Sequence, residues 1–233
     1  EDPAQRPWPA YPARNSRICD TMRTTPAYAL SVSDALDDDR LQERIEILSV
    51  LSQMMPHMGA VCVRDDAMDA EALCETARTA SALGLRVIVD SILSPALIQA
   101  AVCLKDGSPT LMSSDGDQDA LVGIASMFNC PIILSSSDPE TLERLIDSAM
   151  EGGIEEIMIN PSSISMKGCL ESTVRIRRMM ESGDLPELPI VSRSWSGEYA
   201  LAVSTVSLSA GGSLTILDDL DMEGCVVLEM IAG

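Results

Sequence analysis

One pattern constrains this chain more than any other. A short β-branched or apolar run is followed by a helical pattern, and the unit recurs eight times after Ala27 at roughly 25-residue spacing. The strand-like runs are 27–33, 59–63, 85–89, 110–112, 132–134, 156–159, 189–192 and 214–217. The first helix places Leu41, Ile45, Leu48 and Leu51 on one face, and the fifth does the same with Leu142, Leu145, Ile146 and Ala149. Start and stop signals agree with the periodicity. Ser94-Pro95 opens the third helix, where proline loses nothing because its N–H would be unpaired. Asp138 precedes the fifth as a cap, and Gly84 closes the second. Uniform alternation means parallel strands joined by crossover helices. Eight such units in about 205 residues fit a closed (β/α)8 TIM barrel over 27–233 better than an open doubly wound sheet. No glycine-rich phosphate loop follows any of the runs, which argues against a nucleotide-binding sheet.

Residues 1–26 stand apart. They hold five of the 13 prolines and four of the 16 basic residues, with no apolar period. Proline fixes φ and removes donors, so an extended N-terminal arm is expected, with Trp8 and Tyr11 packing on this domain or on a partner.

Composition narrows the partners. The net charge is −20, and a field of that sign repels phosphate backbones. Aromatic residues are 3% of the chain, so base-stacking platforms are scarce as well. No apolar run is long enough to cross a membrane, and the Glu-Asp-Pro start has no signal-peptide pattern, so the expected location is cytoplasmic. Seven cysteines lie at 19, 62, 74, 103, 130, 169 and 225, too widely spaced for a zinc ribbon or an iron–sulfur segment. They read as reduced, mostly buried thiols. A single histidine, His57, removes every two-His metal site, and no metal ligands are assigned. It is expected to end a helix or line a turn.

In a TIM barrel, chemistry sits at the C-terminal ends of the strands. Here those ends read Asp34; Arg64-Asp65-Asp66; Asp90-Ser91; Ser113-Ser114-Asp115; Ser135-Ser136-Ser137; Asn160-Pro161-Ser162; Arg193-Ser194-Trp195; and Asp218-Asp219. The mouth is small, polar and acidic, with Arg64 and Arg193 as its cations. The candidate ligand-binding residues are Asp90, Ser91, Ser113, Asn160, Arg193 and Arg64. Carboxylates such as Asp90 can accept hydrogen bonds from ring N–H groups of a polar heterocycle. The competing reading is local: Asp and Ser after a strand cap the next helix and tolerate turns. No catalytic residue is assigned.

Several stretches resemble a known family. Ala29-Leu30-Ser31-Val32-Ser33-Asp34, the helix with Gln42-Glu43-Arg44-Ile45, and Gly59-Ala60-Val61-Cys62-Val63-Arg64 are similar to the barrel domain of the corrinoid iron–sulfur protein subunits of CO dehydrogenase/acetyl-CoA synthase. The similarity continues through Cys130-Pro131-Ile132-Ile133-Leu134, residues 153–161 and Arg175-Ile176-Arg177-Arg178. It implies a barrel related to pterin-binding methyltransferases, acting in one-carbon (methyl) transfer of the acetyl-CoA decarbonylase/synthase type. A corrinoid (cobalamin) would sit on a partner, a tetrahydropterin is the implied methyl carrier, and no covalently bound cofactor is expected. The implied partner is a related barrel subunit or a corrinoid-binding protein within a complex.

Checked residue by residue against the related pterin-binding methyltransferases, whose third strand ends in Asp-Ser, the chain matches with Asp90-Ser91. Their fourth ends in Ile-Asn-Ser, and Met112-Ser113-Ser114 lacks the Asn. Their sixth has Asp-Pro, and Asn160-Pro161 lacks the acid. Their seventh carries an Asn that Ser192-Arg193-Ser194 lacks. A pterin must be oriented by several simultaneous hydrogen bonds and needs a proton donor at N5. The expectation is therefore an accessory or docking subunit, free-standing or a piece of a longer protein. The alternatives are a pterin-dependent methyltransferase with a rewired pocket centred on Asp90, Asn160 and Arg193, and an unrelated barrel enzyme of small metabolites.

Overall fold

A computed structural model describes residues 26–105, 107–161, 165–194, 200–218 and 222–232. Apart from Pro26, the arm expected over 1–26 lies outside the described residues. The strands are β1 (Ala27–Ser33), β2 (Met58–Arg64), β3 (Val87–Asp90), β4 (Thr110–Met112), β5 (Ile132–Ser135), β6 (Ile157–Asn160), β7 (Val191–Ser194) and β8 (Leu214–Leu217). The helices between and after them are α1 (Asp38–Met54), α2 (Ala70–Ala82), α3 (Ser94–Cys103), α4 (Gln118–Phe128), α5 (Pro139–Glu151), α6 (Met166–Ser182), α7 (Ala200–Ser209) and α8 (Met222–Ala232). All strand pairs are parallel, in the order β6-β5-β4-β3-β2-β1-β8-β7. The cylinder closes where β6 meets β7 through a parallel bridge between Ile159 and Ile190, with the Ile159 N–H donating to the Pro189 carbonyl at 3.0 Å.

Closure creates two cores, because side chains alternate across a strand. One set points into the cylinder and forms its own cluster, with small residues on β1 and β2 (Ala27, Ala29, Ala60, Cys62) and larger ones facing them (Ile88, Met112, Ile133, Met158). The intervening residues, such as Tyr28, Leu30, Val61, Val89, Leu134 and Ile159, point outward and join the helix faces in the larger cluster. The α1 stripe contributes Ile45, Leu48 and Leu51, and the α5 stripe Leu142, Leu145, Ile146 and Ala149. Behind β7 and β8 the seam is polar instead. Ser192 donates to Thr215 at 3.1 Å, and Thr215 donates to Ser204 of α7 at 3.0 Å.

Much of the acidity caps helices. Asp37, Asp69, Asp117 and Asp138 accept from N–H groups of the first turns of α1, α2, α4 and α5, where carboxylates also complement the helix dipole. Gly183 ends α6 at φ +85°, a conformation that β-carbon-bearing residues adopt at a cost. His57 lies in the turn between α1 and β2. Its backbone N–H and Nδ1 contact the two carboxylate oxygens of Glu229 at 3.0 and 2.6 Å, tying α8 to the N-terminal end of the barrel. The one histidine is thus a tether far along the strands from the mouth.

The strand ends differ from the sequence expectation at β2, β3, β5, β6 and β7. Arg64, Asp90, Ser135, Asn160 and Arg193 belong to the strands themselves rather than to the loops after them. Pro189 cannot donate to a ladder, so β7 begins two residues later than the apolar run suggests. Because Ile133 is fully buried in the inner cluster, Ile133→Ala is expected to lower stability by about 3 kcal/mol in urea unfolding. A loss below about 1 kcal/mol would mean that the cylinder is not tightly filled.

Candidate functional site

The alternation that fills the barrel also builds its mouth. Two residues beyond the last inner core position of each strand, the inward side chain is polar. Ser31 follows Ala29, Arg64 follows Cys62, Asp90 follows Ile88, Ser135 follows Ile133, Asn160 follows Met158, Arg193 follows Val191 and Asp218 follows Ile216. The parallel register sets Arg64 beside Asp90 and Ser135 beside Asn160. β4 follows the same rule just past its end, where Ser114 follows Met112.

The ring neutralises itself. Arg193 Nη1 lies 2.5 Å from Asp90 Oδ2 and 2.6 Å from Ser114 Oγ. Ser114 in turn donates its hydroxyl to Asp90 Oδ2 at 2.9 Å and its N–H to Oδ1 at 3.1 Å. β3 and β7 are four strands apart in a closed ring of eight, so this ion pair spans the barrel's diameter. Both partners are well buried, with side-chain exposures of 13% and 6%. Burial pushes the Asp90 carboxyl above the usual carboxylate range, against the pull of Arg193 and the two Ser114 donors.

A second pair bridges β2 and β8 over β1. Arg64 Nη1 is 2.7 Å from Asp218 Oδ1, and its Nη2 is 2.7 Å from Asp66 Oδ2. Ser31 of β1 donates to the same Asp218 oxygen at 3.1 Å. Burial alone would lower the Arg64 pKa, but Asp218 and Asp66 outweigh it and hold the guanidinium more firmly charged. Beneath both pairs lies Cys62, whose thiol is pushed far up by burial and then by Asp90.

The remaining candidates stay local. Ser91 donates to Asp65 at 2.5 Å and accepts from the Leu93 N–H at 2.9 Å, forming the turn that leads into α3. Ser113 is buried, and its carbonyl accepts from Gln118, which also takes the Ser135 N–H and so ties the β4 loop to β5. Asn160 donates weakly to Ser135 at 3.4 Å. Asp34 receives the N–H groups of Asp66 and Ala67, both at 2.8 Å. Of the six candidates, therefore, Asp90 and Arg193 meet directly, Arg64 forms a separate centre, and Ser91, Ser113 and Asn160 serve neighbouring strands and turns. Ser114, Asp218 and Ser31 complete the two centres without having been among the six. The signal for Ser31 and Asp218 was the period of two along β1 and β8.

This geometry decides what the mouth can hold. A heterocycle presenting N–H groups to Asp90 would meet a carboxylate whose two oxygens already accept three hydrogen bonds. At Oδ2 it would compete with a buried guanidinium. Among the described residues, Asp90 is thus already engaged rather than presented to a pterin ring. Among the described residues, no group of three His, Cys, Asp or Glu side chains converges as a metal would require. No helix among them is long and apolar enough to cross a membrane.

Fold and mouth together define a (β/α)8 barrel with a self-paired charged rim. Solved structures agree on the fold. Dihydropteroate synthase of Thermus thermophilus superposes with a TM-score of 0.69 at 13% identity, covering 88% of this chain and 94% of that one. The phospho-2-dehydro-3-deoxyheptonate aldolase of Thermotoga maritima gives 0.62 at 12% identity, covering 89% of this chain and 67% of that one. Sequence narrows the class: the profile of the CO dehydrogenase/acetyl-CoA synthase delta subunit matches residues 18–228, and the chain belongs to that family. It is also similar to the corrinoid/iron-sulfur protein large subunit of Moorella thermoacetica, at 25% identity over 159 residues. That match takes in 66% of this chain and 36% of the relative, so the chain corresponds to about a third of the relative's length.

Removing one member of the spanning pair is expected to strand the other as a buried charge. Arg193→Met should cost about 3–5 kcal/mol in chemical unfolding. The double variant Arg193→Met/Asp90→Asn should recover part of that loss, with a coupling energy above about 1 kcal/mol. Additive effects would mean that the two residues do not interact.

Proposed function

We propose that this chain is an accessory, docking barrel in a corrinoid-linked methyl-transfer assembly of the acetyl-CoA decarbonylase/synthase type. The corrinoid resides on a partner, either a related barrel subunit or a corrinoid-binding protein. Membership of the delta-subunit family supports the setting, as does the likeness to a corrinoid/iron-sulfur large subunit. The single observation that carries the non-catalytic reading is the Arg193–Asp90 pair with Ser114, which uses the carboxylate that a pterin's N–H edge would need.

The chemistry argues the same way. Methyl transfer from a tetrahydropterin needs several simultaneous contacts on the ring and an acid near N5. In this mouth the charged groups are turned on one another, and among the described residues the Asn160 side chain donates to Ser135. What the barrel retains is a rigid acidic body, suited to electrostatic selection of its neighbours.

The second reading, a pterin-dependent methyltransferase, draws on the position of Asp90 at the end of the third strand. One experiment separates the two. The protein is incubated with methyl-tetrahydropterin and free cobalamin in the cob(I) state while the visible spectrum is followed. Native purification in parallel identifies companions by mass spectrometry and by corrinoid absorbance. The docking role predicts no methylcobalamin and a stoichiometric corrinoid protein among the companions. Methylcobalamin formation that disappears in Asp90→Ala would overturn it in favour of the enzyme.

A further inference from the structure

On the outer layer of the barrel, two thiols meet beside a guanidinium. Cys74 lies in the second turn of α2 and Cys103 is the last residue of α3. These antiparallel-to-strand helices flank β3 and pack along each other. Arg78 follows Cys74 by one helical turn, so both rise on the same face of α2. Its Nη2 donates to Cys103 Sγ at 3.2 Å. The Cys74 thiol is directed at Cys103, near enough to hydrogen-bond with it. The two differ in access: Cys74 is buried, whereas Cys103 is partly exposed. Cys62, Cys130, Cys169 and Cys225 are all buried, so among the described cysteines Cys103 is the one that solvent oxidants reach.

We propose that Cys74 and Cys103 form an oxidant-responsive pair, in which peroxide attacks at Cys103 and Cys74 closes a disulfide that staples α2 to α3. Arg78 donates to the Cys103 sulfur, and the thiolate is the form of a cysteine that attacks peroxide. That thiolate takes the distal oxygen of the peroxide, becoming a sulfenic acid and releasing one water after protonation. The Cys74 sulfur then attacks the sulfenic sulfur, the S–S bond forms, and the hydroxyl leaves as a second water. Overall two thiols surrender two electrons and two protons to one peroxide. The order follows from the surroundings. Cys103 is partly exposed and meets the oxidant first, whereas Cys74 is buried, and burial and then Cys103 itself raise its thiol above the ordinary range.

The test uses the full reduced chain treated with stoichiometric hydrogen peroxide, followed by non-reducing peptide mapping. The expected product is one cross-linked pair joining the Cys74 and Cys103 peptides, lighter by two hydrogen atoms and reversed by a dithiol. Cys103→Ser should abolish the cross-link. Cys74→Ala should leave Cys103 as a sulfenic acid that dimedone captures. Arg78→Met, checked for an unchanged circular dichroism spectrum, should slow the oxidation several-fold while leaving the pairing intact. Three results would overturn the proposal: a disulfide between other cysteines, wild-type Cys103 advancing to sulfinic acid without a cross-link, or no reaction at Cys103.

Discussion

A guanidinium held across the inside of a closed barrel sets the character of its mouth. Arg193 and Asp90 arrive on opposite walls and meet over a layer of apolar side chains. Removing two charges from water is costly, and their mutual attraction offsets that cost only when further hydrogen bonds satisfy the remaining atoms. Ser114 provides such bonds on the carboxylate side, giving its hydroxyl and N–H to Asp90 and accepting from the same Arg193 Nη1 that meets Asp90. The pair therefore acts as a crossbar with its own bracket, joining β3 to β7 at the mouth.

The rest of the mouth follows the same economy. Arg64 is shared between Asp218 and Asp66, Ser91 serves Asp65, and Asp34 holds the turn after β2. Outside the mouth, carboxylates go to helix caps and to the Glu229 tether on His57. An excess of 36 acids over 16 bases is in this way distributed among defined local tasks and a solvated surface.

The architecture was legible in the sequence because it rests on local signals. Period-two and period-3.6 patterns located β1, β4 and β8 at their observed bounds, and Asp138 and Gly84 marked helix ends as capping chemistry demands. The polar ring was legible too, as a set of residues at strand ends. Its internal pairing was not. Arg193 and Asp90 are 103 positions apart, and Arg64 and Asp218 are farther still. Strand-end position says which residues point inward, but the partner of each depends on how a ring of eight closes. The same limit hid Ser114, which looked like a turn residue next to Ser113 and instead completes the spanning pair. The Cys74–Cys103 contact escaped for a related reason: wide spacing excluded a metal motif, yet adjacent helices bring the two thiols together.

The central claim is that the crossbar occupies the mouth. Diffraction from crystals grown with a tetrahydropterin in large excess tests it most directly. Electron density with Arg193 still seated on Asp90 and Ser114, and no ring between β3 and β7, is the result this account predicts. A pterin with its N–H edge on Asp90, and Arg193 swung out of the barrel, would contradict it.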